Sequence, residues 1–333
     1  MRHKSLRLKL FAFVATLACA FSANAQSVIL GDVDNNGTIN IADVTALIDY
    51  LLTNDASGIS LANADCDGDG NIGIGDVTMV IDHLLGTVDL NPPETQTFTV
   101  NDVSFTMVTV EGGTFIMGAP DEDTEADDSE KPAHQVTLST YSIGQTEVTQ
   151  ELWVAIMDDN PSYYCEENGW GNDLTRPVEW ISWNKCQEFI EKLNEVTGET
   201  FRLPTEAEWE FAARGGNKSK GYIYSGSNTI DYVAWYGFCF TYGPEPVATL
   251  TPNELGLYDM TGNVCEWCQD WYGDYSSDAQ INPTGPETGY YRVHRGGGFD
   301  LFNYDCRVLN RSSLGPTDAY DDIGLRLVLS APQ

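Results

Sequence analysis

Basic residues are scarce in this chain. Its 333 residues include 17 Lys and Arg against 50 Asp and Glu, which gives a net charge of −33 and a pI near 4.1. A surface this acidic repels phosphate backbones, so nucleic acid is not expected as a partner. The excess of acidic residues has two explanations, solubility or calcium binding, and the spacing of the carboxylates must decide between them.

Long apolar segments are also scarce. The run from Leu10 to Phe21 is too short to span a membrane. It follows a basic segment and precedes the small-residue pattern of residues 23–25, so residues 1–25 are predicted to be a cleaved secretory signal peptide. Lipid attachment at Cys19 is the alternative. A secreted or cell-surface protein is therefore expected.

Cysteine is limited to eight residues. Those after the predicted cleavage site are Cys66, Cys165, Cys186, Cys239, Cys265, Cys268 and Cys306. Export implies an oxidising compartment, so disulfides are expected, and the odd count leaves at least one thiol outside an intrachain pair. The four histidines show no ligand spacing, so a zinc site is not predicted.

Residues 26–90 contain a duplicated acidic loop. "DVDNNGTINIAD" at 32–43 and "DCDGDGNIGIGD" at 65–76 align without a gap. Both place Asp or Asn at alternate positions, then Gly, and end in Asp, which is the spacing that supplies Ca²⁺ with oxygen ligands in a tight loop. Thr38 and Asn71 would contribute main-chain carbonyls. The predicted ligands are Asp32, Asp34, Asn36, Thr38, Asp43, Asp65, Asp67, Asp69, Asn71 and Asp76.

Each loop precedes a short amphipathic helix, "VTALIDYLL" or "VTMVIDHLL", and the two apolar faces can pack together. The stretch has no Lys or Arg, so folding without metal should be poor. Two such units resemble the dockerin module, a small all-α calcium-binding domain that joins secreted proteins to cohesin partners, often in polysaccharide-degrading assemblies. Ile41-Ala42 and Ile74-Gly75 stand where the commonest dockerins carry Ser-Thr for cohesin choice. A calcium-stapled spacer without a partner is the alternative.

A short stiff linker is predicted at residues 91–97, and a domain of α+β composition at 98–331. Short β-like runs alternate with turns. Two helices stand out, "SWNKCQEFIEKLNEVTG", which ends at Gly198, and "PTEAEWEFAARGG", which opens with a capping box of Thr205 and Glu208.

The ordered segments "GGTFIMG", "KPAHQVTL", "YSIGQTEVTQELW", "FRLPTEAEWEFAARGG", "NELGLYDMTGNVCEW", "RVHRGGG" and "IGLRLV" resemble the formylglycine-generating enzyme, or sulfatase-modifying factor, family. The resemblance implies an irregular C-type-lectin-like α+β fold. It also implies an oxidase that converts a sulfatase cysteine to formylglycine with O₂ and Cu(I), the metal being held by two cysteines five residues apart.

The loop "GGGFDLFNYDC", residues 296–306, departs from that pattern. Cys306 stands at the second cysteine position, but Leu301 occupies the first; Gly298 and Cys265 replace a serine and a tryptophan of the enzymes. A lone thiol cannot make a two-thiolate copper site. Cys306 is therefore predicted to be a disulfide partner, for instance of Cys186, or a buried thiol, with redox or copper chemistry as the alternative.

The resemblance further implies a Ca²⁺ site at Asp259, the Gly262 and Val264 carbonyls, and Glu266; hydrogen-bonded turn carboxylates are the alternative. Aromatic and polar residues of the late loop suit a binding surface and are similar to the variable segment of retroelement-diversified ligand binders. The predicted ligand-binding residues are Phe299, Asp300, Phe302, Asn303 and Tyr304.

Three functions remain open. The first is a non-catalytic module, docked to a cohesin-type partner, that binds an unknown protein or glycan. The second is a copper-dependent oxidase acting on sulfatases. The third is a purely structural role in an assembly.

Overall fold

The computed structural model describes residues 28–237 and 242–330, which form two compact units, one ending at Asn91 and the other beginning at Pro92. The predicted signal peptide and Cys239 lie outside the described residues. None of the helices in the described part of the chain has the length and apolar composition needed to cross a membrane.

The N-terminal unit is all-α. Its helices are α1 (Ile41–Thr53), α2 (Leu61–Ala64) and α3 (Ile74–Leu84). The predicted amphipathic helices correspond to α1 and α3, which bury Val44, Leu47, Val77 and Val80 in one apolar cluster. Each of these two helices begins within the last three residues of an acidic loop, so packing of the helices fixes the ends of both loops.

The C-terminal unit has short strands joined by long irregular segments. Its helices are α4 (Gln150–Met157), α5 (Trp183–Thr197) and α6 (Glu206–Ala213). Its strands are β1 (Thr95–Val100), β2 (Val103–Val110), β3 (Gly113–Met117), β4 (His134–Leu138), β5 (Tyr141–Gly144), β6 (Phe201–Arg202), β7 (Cys265–Trp271), β8 (Gln280–Ile281), β9 (Arg292–Arg295), β10 (Ser312–Leu314), β11 (Ile323–Gly324) and β12 (Val328–Ser330). This mixed architecture is the predicted α+β fold, and β1 includes the last three residues of the predicted linker.

Three sheets organise the C-terminal unit. Their strand orders are β1-β2-β5-β12-β6, β10-β9-β7-β11 and β3-β4-β8. Strand β12 lies between β5 and β6 and is antiparallel to both, while β11 runs parallel to β7. The segments after β9 and before β11 therefore emerge at neighbouring points of the second sheet.

The two predicted helices form as their caps indicate. Ser182 caps α5, and Gly198 ends that helix with a φ of 75°. Thr205 and Glu208 form the predicted capping box of α6. Helix α5 packs against α4, where the rings of Phe189 and Trp153 stack with centroids 4.8 Å apart.

Candidate functional site

The first acidic loop gathers its carboxylates. Ligand oxygens of Asp32, Asp34 and Asp43 all lie within 4.8 Å of one another. The buried Asp43 carboxylate accepts hydrogen bonds from the N–H groups of Val33 (2.7 Å) and Asn40 (2.8 Å), which hold it over the loop. Carboxylates this close repel one another unless a cation lies among them, and an all-oxygen donor set suits Ca²⁺.

The second loop repeats this arrangement with Asp65, Asp67 and Asp76, whose ligand oxygens also lie within 4.8 Å of one another. Asp65 Oδ1 is buried and accepts no hydrogen bond within the described residues. Such an oxygen is costly unless a cation uses its lone pair. Gly37 and Gly70, with φ of 87° and 83°, permit the sharp turn in each loop. The residues present therefore fit a hard divalent cation.

The other predicted calcium ligands shape the turns. Asn36 Oδ1 accepts a hydrogen bond from the Thr38 N–H (2.9 Å), and Asp69 Oδ1 accepts one from the Asn71 N–H (2.7 Å). These four residues lie at equivalent positions of the two loops. The structure thus brings together the carboxylates at loop positions 1, 3 and 12, with the predicted positions 5 and 7 adjacent on the exposed side.

An exposed apolar surface accompanies the loops. Ile41 and Ile74 are 70% and 75% exposed, and Leu52 and Leu85 are 78% and 71% exposed. Each pair occupies equivalent positions of the two repeats. Large apolar side chains repeated on the surface of a small module are typical of a protein contact surface.

In the C-terminal unit, the late loop borders a cavity of about 480 Å³, here called the acidic cavity. Its lining is rich in carboxylates, namely Asp127, Asp300, Asp305, Asp321 and Asp322. Burial, together with the neighbouring charges of Asp300 and Asp321, raises the pKa of Asp322 to about 6. The cavity is therefore an environment of excess negative charge.

Two arginines line the acidic cavity, but both already have carboxylate partners. Arg295 is buried and donates to Glu210. Arg311 donates to both oxygens of Glu206, each at 2.7 Å. Because each guanidinium is already paired with a glutamate, it offsets little of the negative charge of the cavity aspartates.

The predicted ligand-binding residues have different positions. Asp300 lines the acidic cavity, and Phe299 is buried with its ring 5.4 Å from that of Tyr164. Phe302, Asn303 and Tyr304 are exposed and are not part of the cavity lining, and the rings of the two aromatics stack 5.6 Å apart. Of the five predicted ligand-binding residues, the structure thus brings only Asp300 to the cavity lining.

Cys306 lies beneath the loop and is fully buried. Gly297, with a φ of 75°, makes room for it, because a Cβ there would lie 2.6 Å from the Cys306 Sγ. Leu301 packs against a core cluster. Cys265 is the only thiol among the described residues that line the cavity, and burial, with the charges of Asp322 and Cys306, raises its pKa well above the ordinary value. Copper(I) binds thiolates, so these residues do not fit the two-cysteine site of the enzymes.

Five of the six described cysteines do not form the predicted disulfides. Cys66, Cys165, Cys186, Cys265 and Cys268 are buried free thiols. The pairing of Cys186 with Cys306 is therefore wrong. Cys186 lies in the cluster around α5, and Cys306 in a separate cluster with Tyr224 and Tyr236, so spacing in the sequence gave no guide to their separation.

The second predicted calcium set is arranged as a buried polar network. Glu266 accepts hydrogen bonds from Arg326 (2.6, 2.9 and 3.0 Å) and from Trp209 Nε1 (2.6 Å). Asp259 accepts one from the Ala248 N–H (2.7 Å), and burial raises its pKa to about 6. With both oxygens of Glu266 taken by donors, this set does not fit a calcium site.

The same network includes a carboxylate that the sequence analysis did not single out. Glu147 accepts hydrogen bonds from the Asn263 side chain (2.9 Å) and from the Val264 N–H (3.1 Å). Burial and the charges of Asp259 and Glu266 raise its pKa well above the ordinary value. Among the described residues, only the two N-terminal loops bring ligand oxygens of three acidic side chains within 4.8 Å of one another, so this network is not such a metal-binding group.

Sequence reasoning missed a group of aromatic residues beside the acidic cavity, here called the aromatic wall: Tyr163, Tyr164, Trp170, Trp180 and Phe299. The Tyr164 hydroxyl donates to Asp321 (3.3 Å), which lines the cavity. The density of aromatics in "PSYYCEENGW" was the available signal, but nothing local in that segment indicates proximity to a loop far along the chain.

Comparison with known proteins gives two family matches. Residues 93–331 match the sulfatase-modifying factor enzyme 1-like domain, and residues 30–85 match the dockerin type I domain. The N-terminal match covers both acidic loops, and the C-terminal match includes the acidic cavity and the aromatic wall.

Individual relatives resemble the C-terminal unit. The chain is 32% identical over 283 residues to the chaperone protein LppX of Paenibacillus barcinonensis, covering 68% of this chain and 90% of that protein. It is 30% identical over 287 residues to the formylglycine-generating enzyme of Thermomonospora curvata, covering 66% and 92%. The solved structure of Treponema denticola variable protein 1 superimposes with a TM-score of 0.65 at 32% identity, covering 72% of this chain and all of that one.

Proposed function

The chain belongs to the sulfatase-modifying factor enzyme 1-like family and carries a dockerin type I domain, and from this we propose that it is a secreted, non-catalytic binding module attached to a cohesin-type partner. The dockerin would fix the protein in an assembly, for which polysaccharide degradation is the proposed setting. The C-terminal domain would present the acidic cavity and the aromatic wall to a ligand.

Leu301 is the observation that carries the non-catalytic proposal. It stands five residues before Cys306, where the two-cysteine site needs a thiol, and its side chain packs against the core. An isobutyl group can neither ligate copper nor transfer an electron. Cys306 itself is fully buried and does not line the cavity.

Calcium is the proposed cofactor of the dockerin domain, since dockerin domains generally bind it. The carboxylate groups of the two loops, together with the partnerless Asp65 Oδ1, support one ion in each loop. Each ion would offset the mutual repulsion of three aspartates and join a loop to the start of α1 or α3.

Cohesin attachment is proposed to use the exposed apolar surface that includes Ile41 and Ile74. We expect the double variant Ile41→Asp/Ile74→Asp to lose binding to a panel of cohesin domains by at least about tenfold, because charges would enter a desolvated contact. Ser57→Asp, at an exposed loop position, is the matched control. Equal binding by the double variant and the control would contradict this assignment.

The experiment that tests the non-catalytic proposal is mass spectrometry of a sulfatase-motif peptide. The protein is incubated with the peptide, Cu(I) and O₂ beside a working formylglycine-generating enzyme. We expect no conversion of the cysteine to the aldehyde by this chain. Conversion would overturn the proposal.

Formylglycine formation is the second candidate function, and the observation that favours it is that Cys265 lines the acidic cavity, where a thiol could meet a substrate. If conversion were seen, Cys265→Ser should abolish it, whereas Cys165→Ser, a buried thiol outside the cavity lining, should not. Leu301→Cys would show separately whether restoring the missing thiol restores copper binding.

A further inference from the structure

Two residues of the aromatic wall, Tyr163 and Trp180, are half exposed to solvent. The rings of Tyr163 and Trp180 stack with centroids 5.6 Å apart and planes at 23°, yet the two residues remain 41% and 46% exposed. Trp180 also has a φ of 62°, a conformation that bulky side chains rarely adopt. A stacked aromatic pair kept open to solvent by a strained residue is a feature that packing alone does not require.

Buried hydrogen bonds hold this pair in place. The Glu179 carboxylate accepts from the N–H groups of Tyr163 (3.1 Å) and Tyr164 (2.9 Å), and the Trp180 N–H donates to the Tyr320 carbonyl (3.0 Å). Glu179 is fully buried. The wall is therefore preorganised, which lowers the entropic cost of binding a ligand against it.

The wall adjoins carboxylates that lack cationic partners. The Tyr164 hydroxyl donates to Asp321, and the Trp180 N–H donates to the carbonyl of Tyr320, the residue that precedes Asp321. Within the described residues, Asp300, Asp321 and Asp322 form no ion pair. Their negative charge faces a cavity whose arginines are already offset, so the cavity and the wall together present a negative potential beside π faces.

We propose that the acidic cavity and the aromatic wall bind an organic cation, an ammonium or guanidinium group, with the cation against Tyr163 and Trp180 and its N–H groups on Asp300 and Asp321. This inference rests on the proposed function of the C-terminal domain as a binding module. Cations bind the faces of Trp and Tyr, and carboxylates accept strong hydrogen bonds from guanidinium and ammonium.

A metal ion is a poorer occupant of this site. Among the described residues, the groups of three acidic ligand atoms close enough to share an ion lie only in the N-terminal loops, so the cavity aspartates are too spread out to converge on one. An extended organic cation with several N–H donors can span them. A volume of about 480 Å³ accommodates a side chain or a small amine.

Gly298 leaves room for the cation. A Cβ at this position would lie 3.2 Å from the Asp322 Cβ and 3.5 Å from the Asp300 Oδ1. A larger residue here would therefore fill the space between the two carboxylates.

The test is calorimetric titration of the full chain, in calcium, with two peptides that differ only at one central residue, arginine or the uncharged isostere citrulline. We expect the arginine peptide to bind at least about tenfold more tightly, and increasing salt to weaken it. Free agmatine distinguishes a small-amine ligand from an arginine side chain of a protein. If agmatine binds as tightly as the arginine peptide, the site is assigned to free amines, and this outcome also supports a cation site.

Variants locate the binding. Asp321→Asn and Trp180→Ala should each weaken the arginine peptide by about five- to thirtyfold. The matched controls are Asp278→Asn and Tyr290→Ala, which change an exposed carboxylate and an exposed aromatic outside the cavity lining and the wall. Neither control should weaken binding of the arginine peptide. Near-ultraviolet circular dichroism verifies that each variant is folded, and Trp180→Phe, which keeps a π face, should retain most of the affinity.

Three results would overturn the inference. Equal affinity for the arginine and citrulline peptides would remove the requirement for charge. Binding of a neutral glycan that is lost in Trp180→Ala, with neither peptide bound, would also refute the cation while leaving the proposed function intact. Absence of binding to both peptides, agmatine, and glycan and protein arrays would remove the proposed function as well.

Discussion

Replacing Arg326 with Met should destabilise the C-terminal domain strongly. Arg326 and Glu266 are both fully buried, and the guanidinium also donates to the carbonyls of Gly144 and Tyr258, each at 2.9 Å. The methionine would leave the Glu266 charge beside Glu147 with its cationic partner removed. Removing one partner of a buried ion pair costs about 3–5 kcal/mol, and we expect about 4 kcal/mol here.

Tryptophan fluorescence during thermal and urea unfolding is the assay, since all eight tryptophans lie after residue 91 and report only on the C-terminal domain. For a domain of this size, about 4 kcal/mol corresponds to a loss of roughly 10 °C in Tm.

Arg202→Met is the matched control. Arg202 also forms a two-pronged ion pair, with Glu208 at 2.6 and 2.7 Å, but its side chain is 30% exposed. The remaining Glu208 carboxylate is 11% exposed, lies under a partly exposed arginine and keeps the Thr205 N–H as a donor (2.9 Å), so the cost should be smaller, about 1 kcal/mol. Equal losses in the two variants, or a loss below about 1 kcal/mol in Arg326→Met, would refute the reasoning from burial.

Three further predictions follow from the structure. Chelation of calcium should abolish the helical circular dichroism of residues 28–91 and expose them to proteolysis, while the tryptophan-detected transition stays unchanged; a simultaneous shift of both would show that the two domains unfold together. Burial raises the pKa of Asp270 from its ordinary 3.8 to about 8, so between these pH values the folded state keeps a proton that the unfolded state loses, and the free energy of unfolding should fall as pH rises from 4 to 8. Asp270→Asn should flatten this pH dependence in urea unfolding. An unchanged pH dependence in the variant would assign it to other groups. Gly297→Ala should lower the Tm more than Gly169→Ala, because both glycines have a positive φ but only at Gly297 would the added Cβ clash, 2.6 Å from the Cys306 Sγ. Equal losses of Tm would show that the loop relaxes around the new methyl group.

Local signals in the sequence predicted the local structure well. The caps of α5 and α6 form as predicted because capping involves residues only a few positions apart, such as Thr205 and Glu208. The loop carboxylates converge for the same reason, since the ligands of one loop lie within twelve residues. In these elements sequence distance is a good guide to spatial distance.

Long-range pairings could not be predicted in this way. Glu266 looked like a calcium ligand in its own segment, but its partner Arg326 comes from the segment before β12. The suggested Cys186–Cys306 pair failed because buried cysteines pack as small apolar side chains in separate clusters. Tyr164 and Asp321 likewise meet only through the tertiary fold, so neither the aromatic wall nor the carboxylates beside it could be located from composition.

The position of β12 has a consequence for how the domain is made. Val328 pairs with both Ile143 and Arg202, so β12 is an internal strand of the five-stranded sheet, with β5 on one side and the edge strand β6 on the other. A nascent chain that has emerged only as far as β10 cannot close this sheet or supply Arg326 to Glu266. We therefore expect folding of the C-terminal domain to follow, rather than accompany, its synthesis, with the early strands dependent on chaperones until β12 arrives.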